Sequence, residues 1–241
     1  MKKTGIILTS ILVFISCMAF SYWLARQTAP APPGSTLTPA PTRYQQINII
    51  LIHTENLQDK KPELKSVWLL FVYFSEPPKL TFLPVYPTNE TRLAKSLHDA
   101  FTFNPDGSVA MGFWKAMGGY NFNWEGYAVI DNASLNTIGK YWVGKDFTNP
   151  LAAPALNPQA GTRTPAPTAV TQAGSEVIQK LCTQFGKPST RSLGAFPWTE
   201  ITPQHFRSDL KFSTVMVQWN FLVNANPPTR CEILPPSSKT P

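Results

Sequence analysis

Lys2 and Lys3 are followed by an uncharged apolar run from Gly5 to Ala25, which ends at Arg26. At 1.5 Å per residue this run makes about 30 Å of helix, the thickness of one hydrocarbon core, so the chain meets a membrane at its N-terminus. A cleaved signal peptide and a retained anchor compete as readings. A signal peptide carries only about 7–15 apolar residues, and the greater length here favours the anchor. Tyr22 and Trp23 stand near the far end, where amphipathic rings settle at the interface, and the two lysines hold the near end in the cytoplasm. The expectation is a single-pass protein of the cell membrane with its N-terminus cytoplasmic and its domain outside the cytoplasm. Lipidation at Cys17, within Phe14-Ile15-Ser16-Cys17, is the minor alternative, because the apolar run continues past the cysteine.

Residues 1–26 are thus the cytoplasmic start and anchor. Residues 27–43, rich in Pro, Ala, Thr and Ser, cannot build a core and read as an extended spacer of roughly 50 Å at most. Residues 44–236 hold enough Phe, Trp, Leu and Val for one compact domain, and 237–241 are a tail. The net charge of +7 is spread without a long Lys/Arg block, which weighs against a nucleic-acid partner while allowing a mildly basic face toward anionic lipid or wall polymer. Cys182 and Cys231 lie in the exported part, where an oxidising compartment permits a disulfide; two separate buried thiols remain the equal alternative. His53, His98 and His205 are scattered and no cysteine pair has ligand spacing, so no metal site is expected.

Two continuous apolar runs, Ile47 to Ile52 and Val67 to Phe74, have strand length and read as strands covered on both faces, as in a sheet between helices. Leu80 to Leu83 follows the turn-like Glu76-Pro77-Pro78-Lys79 and completes a hairpin with the second run. Helices are expected from a Thr91 cap through Phe101, from Ser108 to Met117 before Gly118-Gly119, and from Ala133 to Tyr141, with a strand over Tyr127–Ile130 between the last two. From about 148 to 173 the chain is poor in large apolar residues and reads as a disordered insertion. A helix is expected from a Ser175 cap through Phe185. Another is expected from Thr202-Pro203, carrying His205, Phe206 and Leu210. Ser213 to Leu222 reads as helix with strand as the alternative, and Arg230 to Leu234 as a last strand. Alternating strands and helices make the fold class α/β, a layered sheet between helices.

The order of these segments resembles the LytR-CpsA-Psr family of cell-envelope proteins over about Ile47 to Leu234. INIILIHTE, from Ile47 to Glu55, resembles the family's opening strand NILLLGTD; KSVWLL, from Lys65, falls where the family has RSDTIML; LTFLPVYPT, from Leu80, falls where it has SIPRDT. Tyr127 to Gly144 and Glu176-Val177-Ile178 resemble further family segments. The resemblance implies one membrane helix, an extracytoplasmic α/β domain, and transfer of lipid-linked glycopolymers onto peptidoglycan in a bacterium. It also implies charge at set places, because a pyrophosphate leaving group needs guanidinium forks and a metal to offset it in the transition state. Here the metal-holding aspartate is Val67, the arginine and aspartate of PRD are Val85 and Tyr86, and the arginine of RSDT is Lys65, which lacks the bidentate fork. Arg163 is the one basic residue in the insertion where the family carries an arginine-rich loop.

With these degenerate positions no catalytic residue is assigned, and the first expectation is a catalytically inactive family member. It would bind polyprenyl-phosphate lipid or wall glycan in envelope assembly, without a cofactor. Two alternatives remain. One is a divergent phosphotransferase using Mg or Mn with Lys65, Glu55, Arg92 and Arg163; the other is an adaptor docking envelope proteins. Candidate ligand-contacting residues are His53 and Glu55 at the end of the first strand, a common place for sites in α/β folds, with Lys65, Arg92, Trp114 and Trp124. The aromatic cluster of Phe113, Trp114, Tyr120, Phe122, Trp124 and Tyr127 reads first as a filled core and second as the lining of a prenyl tunnel or a sugar platform. Asn89-Glu90-Thr91 and Asn132-Ala133-Ser134 match the glycosylation pattern and are given no role.

Overall fold

The computed structural model describes residues 45–88, 91–120, 122–153, 156, 166–187 and 192–235. All of these belong to the unit Ala40–Pro241. The expected anchor, the spacer and Arg163 lie outside the described residues. No helix among the described residues is long and apolar enough to cross a membrane.

Strands β1 (Gln46–Thr54), β2 (Leu64–Tyr73) and β3 (Lys79–Tyr86) form an antiparallel meander, followed by α1 (Thr91–Ala100) and α2 (Met111–Gly118). Then come β4 (Gly126–Asp131), α3 (Asn132–Trp142), α4 (Pro167–Cys182), the one-turn α5 (Trp198–Ile201), β5 (Phe206–Ser208), α6 (Phe212–Val223) and β6 (Arg230–Ile233). The sheet order is β5-β4-β1-β2-β3-β6, with β4 parallel to β1 and β6 parallel to β3.

Successive side chains of a strand point to opposite faces, and here both faces are covered. On one side Ile50, Ile52, Val67, Leu69, Val85 and Val129 pack against Leu97 and Phe101 of α1 and Phe113 and Met117 of α2. On the other, Ile47, Ile49, Trp68, Val72, Leu80 and Phe82 face Ile178 of α4 and Leu222 of α6. This is why the first two runs are apolar without alternation. α3 and α4 share a third cluster through Leu135, Leu151, Val170 and Val177.

The structure corrects two expectations. The stretch 148–173 is ordered at both of its described ends: Asn149 caps a 3-10 turn over Pro150–Ala152 whose Leu151 is buried, and α4 begins at Pro167, eight residues before Ser175. Just beyond the stretch, Gly174 is a packing device, because a Cβ on it would stand 2.7 Å from the Trp68 ring. Its smallness lets α4 lie close on the sheet. Thr202-Pro203, in turn, does not start a helix: α5 has already ended at Ile201, and Phe206–Ser208 pairs with β4 as an edge strand. Pairing with β4 satisfies backbone groups that helical periodicity alone could not assign. The helix reading of Ser213 to Leu222 holds and its strand alternative does not.

Cys182, the last residue of α4, is bonded to Cys231 in β6, with the two Cα atoms 6.1 Å apart. The link pins a four-residue edge strand to the long helix above it. It closes a separation of 49 residues, for which the chain-entropy relation gives about 4 kcal/mol. Removing it by Cys182→Ser with Cys231→Ser should lower unfolding stability by about 2–4 kcal/mol, read as a lower midpoint in urea with a somewhat steeper slope, since the released unfolded chain exposes more surface.

Candidate functional site

Above the second face of the sheet lies a cavity of about 1030 Å³, at the top of the roughly 300–1,000 Å³ range of small-molecule sites. Its floor is the apolar face of β1, β2, β3 and β4, and its walls and roof come from α3, α4, α6 and the segment around Phe196 and Trp198. No Asp, Glu, Lys or Arg lines it among the described residues. The roof helix α6, FSTVMVQWNFLV, is apolar around most of its circumference, yet only Leu222 is buried. Val215 and Trp219 project into the cavity wall instead of closing on a core. An aromatic belt of Trp142 stacked on Phe196 at 5.0 Å, with Trp219 5.3 Å from Trp142, stiffens one wall.

The floor is built in rows by the antiparallel register of β1 and β2. Ile47 faces Val72, Ile49 faces Leu70, Leu51 faces Trp68, and the last row is His53 opposite Ser66. His53 and Ser66 both line the cavity and are 4% and 1% exposed. His53 Nε2 is 3.1 Å from Asn132 Oδ1, which also accepts from Asn149 Nδ2 at 3.1 Å. His53 Nδ1 and Ser66 Oγ have no hydrogen-bond partner. On the roof Trp219 Nε1 is a third buried polar atom without one. Burial pushes the His53 imidazole down to about 4, outweighing the Asn132 hydrogen bond and the nearby Asp131 carboxylate, which act the other way. The ring is therefore neutral at physiological pH.

No protein-family model matches this sequence, and no curated protein matches it. Solved structures resemble its chain trace. TagV of B. subtilis is 8% identical at a TM-score of 0.47, covering 81% of this chain and 87% of its own. Protein gbs0355 of Streptococcus agalactiae is 11% identical at 0.43, covering 79% and 77%. TagT bound to LIIa-WTA is 10% identical at 0.46, covering 78% of each chain.

Of the candidate ligand-contacting residues, only His53 reaches the cavity. Lys65 sits between two carboxylates, 3.0 Å from Glu55 and 3.0 Å from Glu63, so that its charge and that of Glu55 offset each other at the domain edge. Arg92 is exposed on α1, whose buried side packs on the opposite face of the sheet. Trp114 and Trp124 also belong to that opposite face, with Trp114 Nε1 donating to Val109 O at 3.1 Å. Phe113 and Tyr127 of the cluster around them are buried in that core, and Trp114, Tyr120, Phe122 and Trp124 pack half-buried against it. Val67 and Val85 are fully packed in the same core and Tyr86 is half-buried against it, its phenol pushed up by burial. Among the described residues no group of three or more His, Cys, Asp or Glu side chains is placed to hold a metal ion.

The sequence reading missed Asp131. It is 1% exposed and ends β4, where its carboxylate accepts from Ser134 N at 2.9 Å, Leu57 N at 3.1 Å and His205 Nδ1 at 2.7 Å. The Ser134 hydroxyl returns a bond to the Asp131 N–H, completing a capping box on α3. Asp131 followed three residues later by Ser134 is the signal that was available, hidden inside the glycosylation-like triplet. Asn149 and the cavity aromatics Trp142, Phe196 and Trp219 come from three separate stretches of the chain and carry no common period.

His53 gives a pH signature. A proton binds the unfolded ring at about 6.5 but the folded ring only at about 4. Between those values the unfolded state holds more protons, so its contribution to stability is complete above pH 6.5 and is lost as pH falls toward 4. The loss is on the order of 3 kcal/mol. Chemical denaturation from pH 7 to 4 should show this decline, and His53→Gln should flatten it.

Proposed function

We propose that this domain holds the apolar chain of a polyprenyl-type envelope lipid in the cavity above its sheet. It does so as a divergent, non-catalytic LytR-CpsA-Psr-like module tethered to the membrane through residues 5–25. The cavity carries the reading: about 1030 Å³, floored by one strand face, roofed by aromatic and aliphatic side chains, and free of charged lining residues among those described. A cavity whose lining is mostly apolar takes apolar ligands, because burial of apolar area is favourable. A wall glycan is the poorer occupant, since its many hydroxyls would lose water and meet carbon.

Glycopolymer transfer would need cations against a pyrophosphate. Lys65 is already offset by Glu55 and Glu63, Arg92 is exposed on a helix across the sheet from the cavity, and the metal-holding position of the family is the core residue Val67. Losing even one such contact typically costs a few kcal/mol of barrier.

Native mass spectrometry of the full-length protein extracted in mild detergent should show a co-purifying polyprenyl lipid. Val215→Trp, which fills the cavity from α6, should reduce that species at least about tenfold while leaving the unfolding temperature nearly unchanged. Repeated absence of any lipid adduct, even with lipid added, would sink the reading. Metal-dependent turnover of a polyprenyl-pyrophosphate glycan would overturn its non-catalytic half.

A further inference from the structure

Building on the lipid-chain reading above, we propose that the His53–Ser66 row selects the head of the bound chain. The ligand taken at that end of the cavity is a long-chain isoprenoid with a free alcohol, not its phosphate.

A chain of hydrogen bonds determines which nitrogen of His53 carries the proton. Leu151 N–H donates to Asn149 Oδ1 at 3.0 Å, which orients the Asn149 amide so that its Nδ2 faces Asn132. Asn149 Nδ2 then donates to Asn132 Oδ1, so the Asn132 atom facing His53 is an oxygen. An oxygen only accepts, and His53 Nε2 must therefore carry a hydrogen and donate it. In a neutral ring the other nitrogen, Nδ1, is then a bare lone pair. Burial, which lowers the His53 pKa to about 4, keeps the ring in that neutral form.

Nδ1 is thus a buried acceptor with no donor, and across the β1–β2 register stands Ser66 Oγ, equally buried and unpartnered. Cβ atoms of directly opposed residues lie roughly 5 Å apart, near enough for one ligand atom to meet both side chains. A ligand hydroxyl answers the pair completely: it donates to His53 Nδ1 and accepts from the Ser66 O–H. An ether or ester oxygen accepts only, and leaves Nδ1 unsatisfied. A phosphate presents anionic oxygens to that lone pair in a cavity with no Lys or Arg in its described lining. Burying an uncompensated anion is far costlier than burying a hydroxyl that is bonded on both sides.

The rest of the floor fits the same ligand. The three rows preceding His53–Ser66 are wholly apolar. The six residue steps from Ile47 to His53 span roughly 20 Å at the usual strand rise. A linear apolar chain ending in one hydroxyl matches a floor that ends in one polar row.

The test is competition on the full-length protein in detergent. Geranylgeraniol, its monophosphate and its methyl ether are added in equal amounts, and the bound species are counted by native mass spectrometry. The alcohol should exceed both others by about tenfold or more, the cost of leaving one buried partner unmade. His53→Leu should bring the alcohol and the ether within about twofold of each other while the chain still binds and the phosphate stays behind both, which also cancels any difference in detergent partitioning between the two neutral ligands. Equal or stronger binding of the phosphate, or equal binding of the ether, overturns the head-group assignment and leaves the lipid-chain reading standing. Binding of none of the three overturns both. Should His53→Leu fail to fold, the alcohol-to-ether ratio of the unaltered protein decides, with Ser66→Ala expected to weaken the alcohol about tenfold.

Discussion

Everything in this fold hangs on the antiparallel pairing of β1 with β2 at the centre of the sheet. Nine register pairs, from Gln46↔Tyr73 to Thr54↔Leu64, hold two strands whose residues are apolar on both faces. A sheet of that kind has to be covered twice, because either face left in water would forfeit about 25 cal/mol for every Å² of apolar area exposed. The two coverings differ. On one face α1 and α2 close down with Leu97, Phe101, Phe113 and Met117, all nearly inaccessible. On the other, α4 touches the sheet through Gly174 and Ile178 while α6 rides higher, and the cavity opens between them. One face therefore serves stability and the other is available for a ligand.

The polar end of that cavity is organised by the boundary between β4 and α3. Asp131 ends the strand, caps the helix, and gathers Leu57 and His205 onto one carboxylate, while its neighbour Asn132 bridges His53 and Asn149. Because β4 is parallel to β1, with Thr54 opposite Asp131, these groups come together at the C-terminal ends of adjacent parallel strands. Sites in α/β sheets form there because chain direction changes and polar groups can be presented without breaking the ladder. The polar groups at this end are two neutral amides, an imidazole and a hydroxyl.

Much of the layered α/β architecture was legible in the sequence. The runs at Ile47 and Val67 announced strands buried on both faces, the hairpin at Glu76-Pro77-Pro78-Lys79 formed as read, and the helix through Ala133 to Tyr141 lies within α3. The failures have physical causes. Val170 and Ala173 fell in a stretch read as too poor in large apolar residues to be ordered, yet both are buried, and the neighbouring Gly174 lets their helix rest on Trp68. Thr202-Pro203 matched a helix start, but edge pairing with β4 took the following residues into a strand. The site was less legible than the fold. His53 was found from its place at a strand end, whereas Ser66, Asn132 and Asn149 meet only through tertiary contacts between elements far apart in the chain.

By itself, the sequence determined which segments must be buried and how sparse its charges are, since hydrophobic periodicity and residue identity are local properties. It left open whether Cys182 and Cys231 pair, which face of the sheet carries a filled core and which a cavity, and what the buried histidine touches. Only the tertiary structure decided these, because each depends on distances between residues that the chain holds far apart. The aromatic cluster at 113–127 shows the difference: composition marks it as apolar, but only the alternating pleat of β4 and the docking of α2 assign it to the closed face. The cavity fell to the opposite face, where Trp142, Phe196 and Trp219 converge from three separate segments.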